Sequence, residues 1–235
     1  MQGNESTFWD AFRLVASLDA DLYEIIGLSL KVSLSALLIA SVIGIPLGAF
    51  LAMARFPGRS IANIILNSLM GLPPVVVGLM LYLVFSNNGR LGPLELLYTP
   101  TAMIIAQCVL VLPIVAALSR QALEEMNDEY AEQFKLFGLS RIDTLQTLIW
   151  EARFALLTAI LAGFGRATAE VGAVLIVGGN INHLTRVMTT TIALETSRGN
   201  LAVALGLGMV LLVIALVVNG LLYSVRASAR RAHYG

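Results

Sequence analysis

The 235-residue sequence predicts an all-α integral membrane protein with five transmembrane helices, and three observations carry that prediction. It is 57% hydrophobic and only 13% charged, against about half and a quarter in soluble globular chains. Four stretches, Val32 to Ala54, Ser60 to Gly89, Leu96 to Ser119 and Gly199 to Val225, contain no charge. Each exceeds the roughly 20 helical residues that cross a hydrocarbon core of about 30 Å. None alternates with period two, so the helix, not the barrel, is the backbone-satisfied structure open to them in lipid.

The spans are placed at 25–54, 61–88, 98–119, 153–180 and 200–225, within a single transmembrane domain of residues 1–235. The first has Lys31, a snorkelling anchor, near its outer end and an ordinary kink at Pro46. In the second, Gly71, Pro73, Pro74 and Gly78 interrupt the apolar run, and proline removes a backbone donor while clashing with the preceding turn. The helix should kink or break there, either as a packing kink or as irregular backbone lining a path. The third contains Pro113, another ordinary kink, and Cys108, a small buried apolar residue.

The segment 120–152 is the longest polar stretch. From Glu124 to Phe137, Met126, Tyr130, Phe134 and Phe137 follow helical spacing while Glu125, Asp128, Glu129 and Glu132 fall opposite, which predicts a short amphipathic helix. Gly138 ends it as a C-cap, and Ser140 with Asp143 has the spacing of a capping box that opens a second helix at Ile142. Such a knob is either a solvated hairpin or a docking element whose aromatic face enters a partner's groove.

The fourth span carries Arg166 and Glu170, four apart on one helical face. Each would cost about 2.5 to 3.5 kcal/mol at a lipid-exposed midplane, so they face protein or water, as a locking ion pair or as the border of an anion path. Gly165, Ala169 and Ala173 have small-x-x-x-small spacing, which predicts close helix packing. Asn180, Asn182, Thr185, Thr189, Thr190 and Thr191 then form either an exposed polar loop or a re-entrant outer mouth.

Nine Lys and Arg fall in 55–60, 120–153 and 226–235, against Arg13, Arg90, Arg186 and Arg198 in the opposite segments. The positive-inside rule therefore puts the N-terminus outside and the C-terminus in the cytoplasm, with Arg226, Arg230 and Arg231 fixing the last span. The start, with Glu5, Asp10, Asp19, Asp21 and Glu24 against Arg13, lacks the basic opening of a signal peptide.

Composition also excludes classes of function. Fifteen basic residues balance fifteen acidic ones, which gives no reason to expect nucleic acid. One cysteine and two histidines, His183 and His233, leave no multi-cysteine, three-His or bis-His site in the chain, so no metal or cofactor is expected. No nucleophile–base pair or carboxylate cluster lies at membrane depth, so catalytic residues are not expected either. The only lysines, Lys31 and Lys135, sit in no phosphate-binding loop, so any driving nucleotide would be held by another chain. A self-contained ion-coupled carrier remains the alternative.

Glu132-Gln-Phe-Lys-Leu-Phe-Gly138, followed by Leu148-Ile-Trp-Glu151, resembles the cytoplasmic loop signature of bacterial ABC importer permeases, with Gln133 and Phe134 in place of two alanines and Trp150 and Glu151 in place of Leu-Pro. Phe56-Pro-Gly58, Gly71-Leu-Pro-Pro-Val-Val-Val-Gly-Leu79 and the run Ala169 to Ile181 resemble the molybdate and tungstate permeases. Trp150-Glu-Ala-Arg153 and the run Thr189 to Asn200 are similar to the tungstate branch in particular. The resemblance covers residues 28–225. It implies a type I ABC importer permease core in the bacterial inner membrane, dimeric through a second copy of itself. Its implied partners are cytoplasmic ATPase subunits and an extracytoplasmic oxyanion-binding protein. Tungstate is the implied substrate, with molybdate or another oxyanion as alternatives. Tyr130, Glu132, Phe134, Phe137 and Gly138 would form the ATPase-coupling loop. Pro73, Pro74, Arg166 and Glu170 would border the path, and Asn180, Thr189 and Thr190 the outer mouth.

Overall fold

A computed structural model describes residues 2–17, 20–54 and 56–234, with side chains described outside 2–7, 221–223 and 225–234. Glu5, Asp19, Arg55, Arg226, Arg230 and Arg231, which enter the charge argument above, lie outside the described residues or side chains. The described residues form ten α-helices and one 3-10 turn, with no strand among them. α1 (Gln2–Ala16) precedes α2 (Ala20–Met53), α3 (Arg59–Met70) and α4 (Pro74–Phe85). α5 (Pro100–Leu136), α6 (Arg141–Glu151), α7 (Arg153–Thr168) and α8 (Gly172–Gly178) follow, then α9 (Met188–Ser197) and α10 (Leu201–Tyr234).

α2, α5 and α10 are each long and apolar enough to cross a membrane alone. Two bent pairs, α3 with α4 at 98° and α6 with α7 at 67°, are long and apolar enough only when each pair is taken together, as a broken span or a re-entrant loop. Pro46 and Pro113 stay inside continuous helices, whereas Gly71 to Pro73 is a full break. Pro73 is extended (φ −65°, ψ 120°) and Pro74 starts α4 at a position where its missing N–H costs nothing.

Three expectations change. The amphipathic helix at Glu124 is not separate, because α5 runs unbroken from Pro100 to Leu136. No Gly or Pro interrupts residues 114–136, and an Arg120–Glu124 pair at i,i+4 supports the helix as it leaves the apolar zone. The fourth span is two pieces, since α7 stops at Thr168 and α8 starts at Gly172. Arg166 and Glu170 therefore do not share one helix, although they still meet. Finally, the outer segment contains α9, which apolar spacing alone did not separate from a loop.

α2 and α5 form the backbone of the packing. A Cβ on Gly48 would lie 2.6 Å from the Ala116 carbonyl oxygen and 2.8 Å from the Arg120 nitrogen. Ala36, Ala40, Ala106 and Ala116, all buried, extend that close approach, the usual means of helix association where lipid removes a hydrophobic driving force. Gly165 does not play the packing role its spacing suggested, for nothing lies within 4 Å of its Cβ position. Gly163 does, facing Val115, Leu37 and Val111 at 2.9–3.0 Å.

Candidate functional site

The two interrupted spans meet. A Cβ on Gly78 would be 2.8 Å from the Ala173 Cα, and one on Gly172 would be 2.9 Å from Val75 Cγ2. α4 and α8 therefore begin side by side, with the Pro73–Pro74 turn next to the Ala169–Val171 turn.

Broken backbone in lipid must be satisfied from elsewhere, and here three elements supply the partners. From α5, Gln107 Nε2 donates to the Ala167 carbonyl at 3.1 Å. From α9, Thr189 Oγ1 donates to the Glu170 carbonyl at 2.7 Å. Glu170 itself turns forward, its Oε1 accepting from the Ala173 N–H at 3.0 Å as a side-chain cap of α8. Its other oxygen, Oε2, lies 2.9 Å from Arg166 Nη1, a charge contact outside hydrogen-bond angles. Glu170 is almost fully buried, while the Arg166 side chain is 27% exposed. One carboxylate thus compensates a cation that still reaches an accessible surface. Gln107 was missed by the sequence reading, although a lone amide inside the apolar run Leu96 to Ser119 was a signal for it.

The outer candidates are mostly internal. Thr185, Thr190 and Thr191 are buried, which overturns the exposed polar loop. Asn180 adopts a left-handed φ of 50°, and its Oδ1 accepts from Thr190 Oγ1 at 2.9 Å. Thr185 Oγ1 donates to the Gly178 carbonyl at 2.5 Å. The chain leaves along α8 and returns, since Thr189 touches the carbonyl of Glu170 nineteen residues earlier. Beyond this loop, His183 Nδ1 lies 2.8 Å from Glu24 Oε2 at the start of α2. That hydrogen bond, then the Glu24 charge, raise the His183 pKa above 6.5; desolvation opposes them, and weaker contributions from Asp21, which raises it, and Arg186, which lowers it, follow. A raised histidine pKa means the link is fully present below about 6.5 and is lost as pH rises through the folded value. NMR titration of His183 should give a higher midpoint in the wild type than in Glu24→Gln, and equal midpoints would remove the clasp.

At the other end, Gly138 has φ 61°. Its N–H donates to the Lys135 carbonyl at 3.2 Å and the Leu139 N–H to the Phe134 carbonyl at 3.2 Å, the paired bonds of a Schellman ending. Ser140 then caps α6, its Oγ accepting from the Asp143 N–H at 3.3 Å, so α6 opens at Arg141, one residue before the expected Ile142. The aromatic residues divide. Phe134 packs inward with Met126 on Leu123, Leu148 and Leu156 and touches the Tyr130 ring at 5.9 Å. Phe137, with Leu136 and Ile142, is strongly exposed, and Glu132 is exposed as well. The Trp150–Arg153 run forms the α6–α7 corner, where the Arg153 guanidinium lies 4.8 Å from the ring centres of both Trp150 and Phe154. A bridge not anticipated from sequence holds this end together: Arg59 Nη2 meets Glu124 Oε1 at 2.8 Å, its Nε meets the Leu51 carbonyl at 2.8 Å, and Arg120 takes the other Glu124 oxygen.

Residues 44–231 match the model of the binding-protein-dependent transport system inner membrane component family. The chain belongs to that family. It is 41% identical over 219 residues to the tungstate uptake system permease protein TupB of Peptoclostridium acidaminophilum, covering 93% of this chain and 96% of that one. A TupB of Campylobacter jejuni is 41% identical over 165 residues, 70% of this chain and 69% of its own. A probable anion ABC transporter permease protein of Haloferax volcanii is 38% identical over 205 residues, 85% and 88%. The permease is thus a multi-pass inner-membrane transport subunit, not a catalyst, and it works with an ATPase and a substrate-binding protein. Membership replaces the self-contained carrier considered above.

Proposed function

We propose that this permease carries tungstate into the cytoplasm as the membrane subunit of an ABC importer, two copies pairing with two ATPase chains. The observation that carries the substrate is the near full-length identity to a tungstate uptake permease. The geometry agrees with the chemistry of a path for an oxyanion, which needs a cation compensated enough not to trap it, as Arg166 is by Glu170. Pro73 and Pro74 form the α3–α4 break beside it, while Asn180, Thr189 and Thr190 shape the outer approach. Molybdate, nearly equal in size and geometry, is discriminated mainly by the delivering protein. Orientation follows the basic residues, with the N-terminus outside. In support, Arg59 contacts Glu124 and Glu24 contacts His183, so the segments assigned to each side gather together. Labelled tungstate uptake should depend on this chain and be competed by excess molybdate. Uptake unchanged on deletion, or abolished by sulfate alone, would refute the assignment.

The elbow at Gly138, with Phe137 and Glu132 exposed beside it and Tyr130 and Phe134 bracing it, is the ATPase dock. Nothing lies within 4 Å of a Gly138 Cβ, so a substitution there acts only through its left-handed backbone. Gly138→Val should therefore insert normally yet lose about tenfold in transport-coupled ATPase activity, the equivalent of about 1–2 kcal/mol of backbone strain. Wild-type coupling in this variant would contradict the dock.

A further inference from the structure

A small cavity of about 10 Å³ sits against the α7–α8 break, bordered by Ser29, Ser33, Gln107, Thr168, Met188 and Thr189. That is about the room one water centre needs. Gln107 is 4% exposed, and its Oε1 has no hydrogen-bond partner among the described residues. The Ala167 carbonyl fixes the orientation of this amide, because Nε2 must face it and Oε1 is left as the unpaired atom. An unmatched buried acceptor is costly, so the site calls for a donor.

The surrounding hydroxyl protons are already committed. Ser29 donates to Ile25, Thr168 to Phe164 and Thr189 to Glu170, each to a backbone carbonyl at 2.6, 2.9 and 2.7 Å. The donors left at the cavity are Ser33 Oγ and the second hydrogen of Gln107 Nε2, and the acceptor left without a partner is Gln107 Oε1. A fully deprotonated oxyanion, which can only accept, would leave Gln107 Oε1 unmatched, whereas water can donate to it and to a threonine oxygen and accept from Ser33. We infer that the cavity holds one resident water, and that Gln107 is a positioning residue which, with this water, keeps the α7–α8 break formed. The inference goes beyond the substrate assignment and stands on this chain's own hydrogen-bond donors and acceptors.

Radiolytic hydroxyl labelling of the assembled permease–ATPase complex tests it, because ordered water converts neighbouring side chains into oxidation targets. Met188 borders the cavity at 2% exposure, and Met103, at 0% exposure and packed on Gly178, serves as a dry control. Met188 should be oxidised and Met103 spared. In Gln107→Leu, Met188 oxidation and uptake per assembled complex should each fall about tenfold, the factor one ordinary hydrogen bond supplies. Ser33→Ala, which removes only a hydroxyl, should lower Met188 oxidation with the complex intact even if the leucine variant fails to assemble. Equal labelling of the two methionines would overturn the water site. Protection of Met188 by saturating tungstate would overturn it in favour of a substrate seat. Lowered labelling with unchanged uptake per complex in Gln107→Leu would overturn the positioning role.

Discussion

Glu170→Ala is expected to be the most damaging change at the membrane break, lowering both the yield of the detergent-extracted complex and the uptake that remains. The substitution removes two interactions at once, the cap on the Ala173 N–H and the partner of Arg166. Breaking a buried ion pair from one side costs about 3–5 kcal/mol. Glu170→Gln keeps an oxygen for the cap and loses only the charge, so it should retain most of the complex. Arg166→Gln leaves a nearly buried carboxylate uncompensated and should fall between the two in abundance. Uptake divided by complex abundance then separates a path-bordering arginine, which lowers the quotient, from a purely structural one, which does not. The double variant Arg166→Gln with Glu170→Gln should be more abundant than Arg166→Gln alone, because no charge is left unpaired. Simple additivity of the two single losses would sink the pairing argument.

Gly48→Val should prevent the folded complex from accumulating. Its Cβ would press on the Ala116 carbonyl and the Arg120 nitrogen, backbone atoms that cannot rotate away, so α2 must leave α5. Overpacking of this kind costs about 1–3 kcal/mol and occasionally more, and at a helix crossing the loss spreads to every contact along the seam. Gly44→Ala, whose Cβ meets the same helix at 3.3 Å, should be milder. Gly165→Ala faces open space and should be neutral or slightly stabilising through helix propensity. Yield of extracted complex for the three variants, with thermal shifts for those that accumulate, supplies the ranking, and a Gly165→Ala as damaging as Gly48→Val would show that the crossing is misplaced.

The contrast between these glycines marks what the sequence could say. Local chemistry was legible where it acts alone: the Gly71–Pro74 run broke its span, Gly138 took a left-handed ending, and Ser140 capped the following helix. What failed depended on distant partners. The four-residue spacing of Arg166 and Glu170 fits an unbroken helix equally well, and the break is held by Gln107, sixty residues before Ala167, and by Thr189, nineteen after Glu170. The threonines of the outer segment read as polar, yet they are buried because their hydroxyls are absorbed by nearby carbonyls. At the Gly138 end, charge alone could not reveal that α5 never stops at the apolar boundary. The aromatic spacing there was correct, but it could not separate the inward Phe134 from the outward Phe137.

The unbroken α5 has a mechanical consequence. Thirty-seven residues at about 1.5 Å each make a rod of roughly 55 Å, ending at the Gly138 elbow on one side and, on the other, beside Tyr98, whose N–H donates to the Val177 carbonyl at the end of α8. α2 grips this rod from Cys108, whose Sγ donates to the Ala36 carbonyl, to Arg120, whose backbone nitrogen faces Gly48. A push at the elbow would therefore be carried by α2 and α5 together toward the Tyr98 end. Pro113, inside the gripped stretch, removes a hydrogen bond and marks where the rod would flex first. A second proline at Ala106 would put a hinge in the rod and absorb the stroke before it arrived.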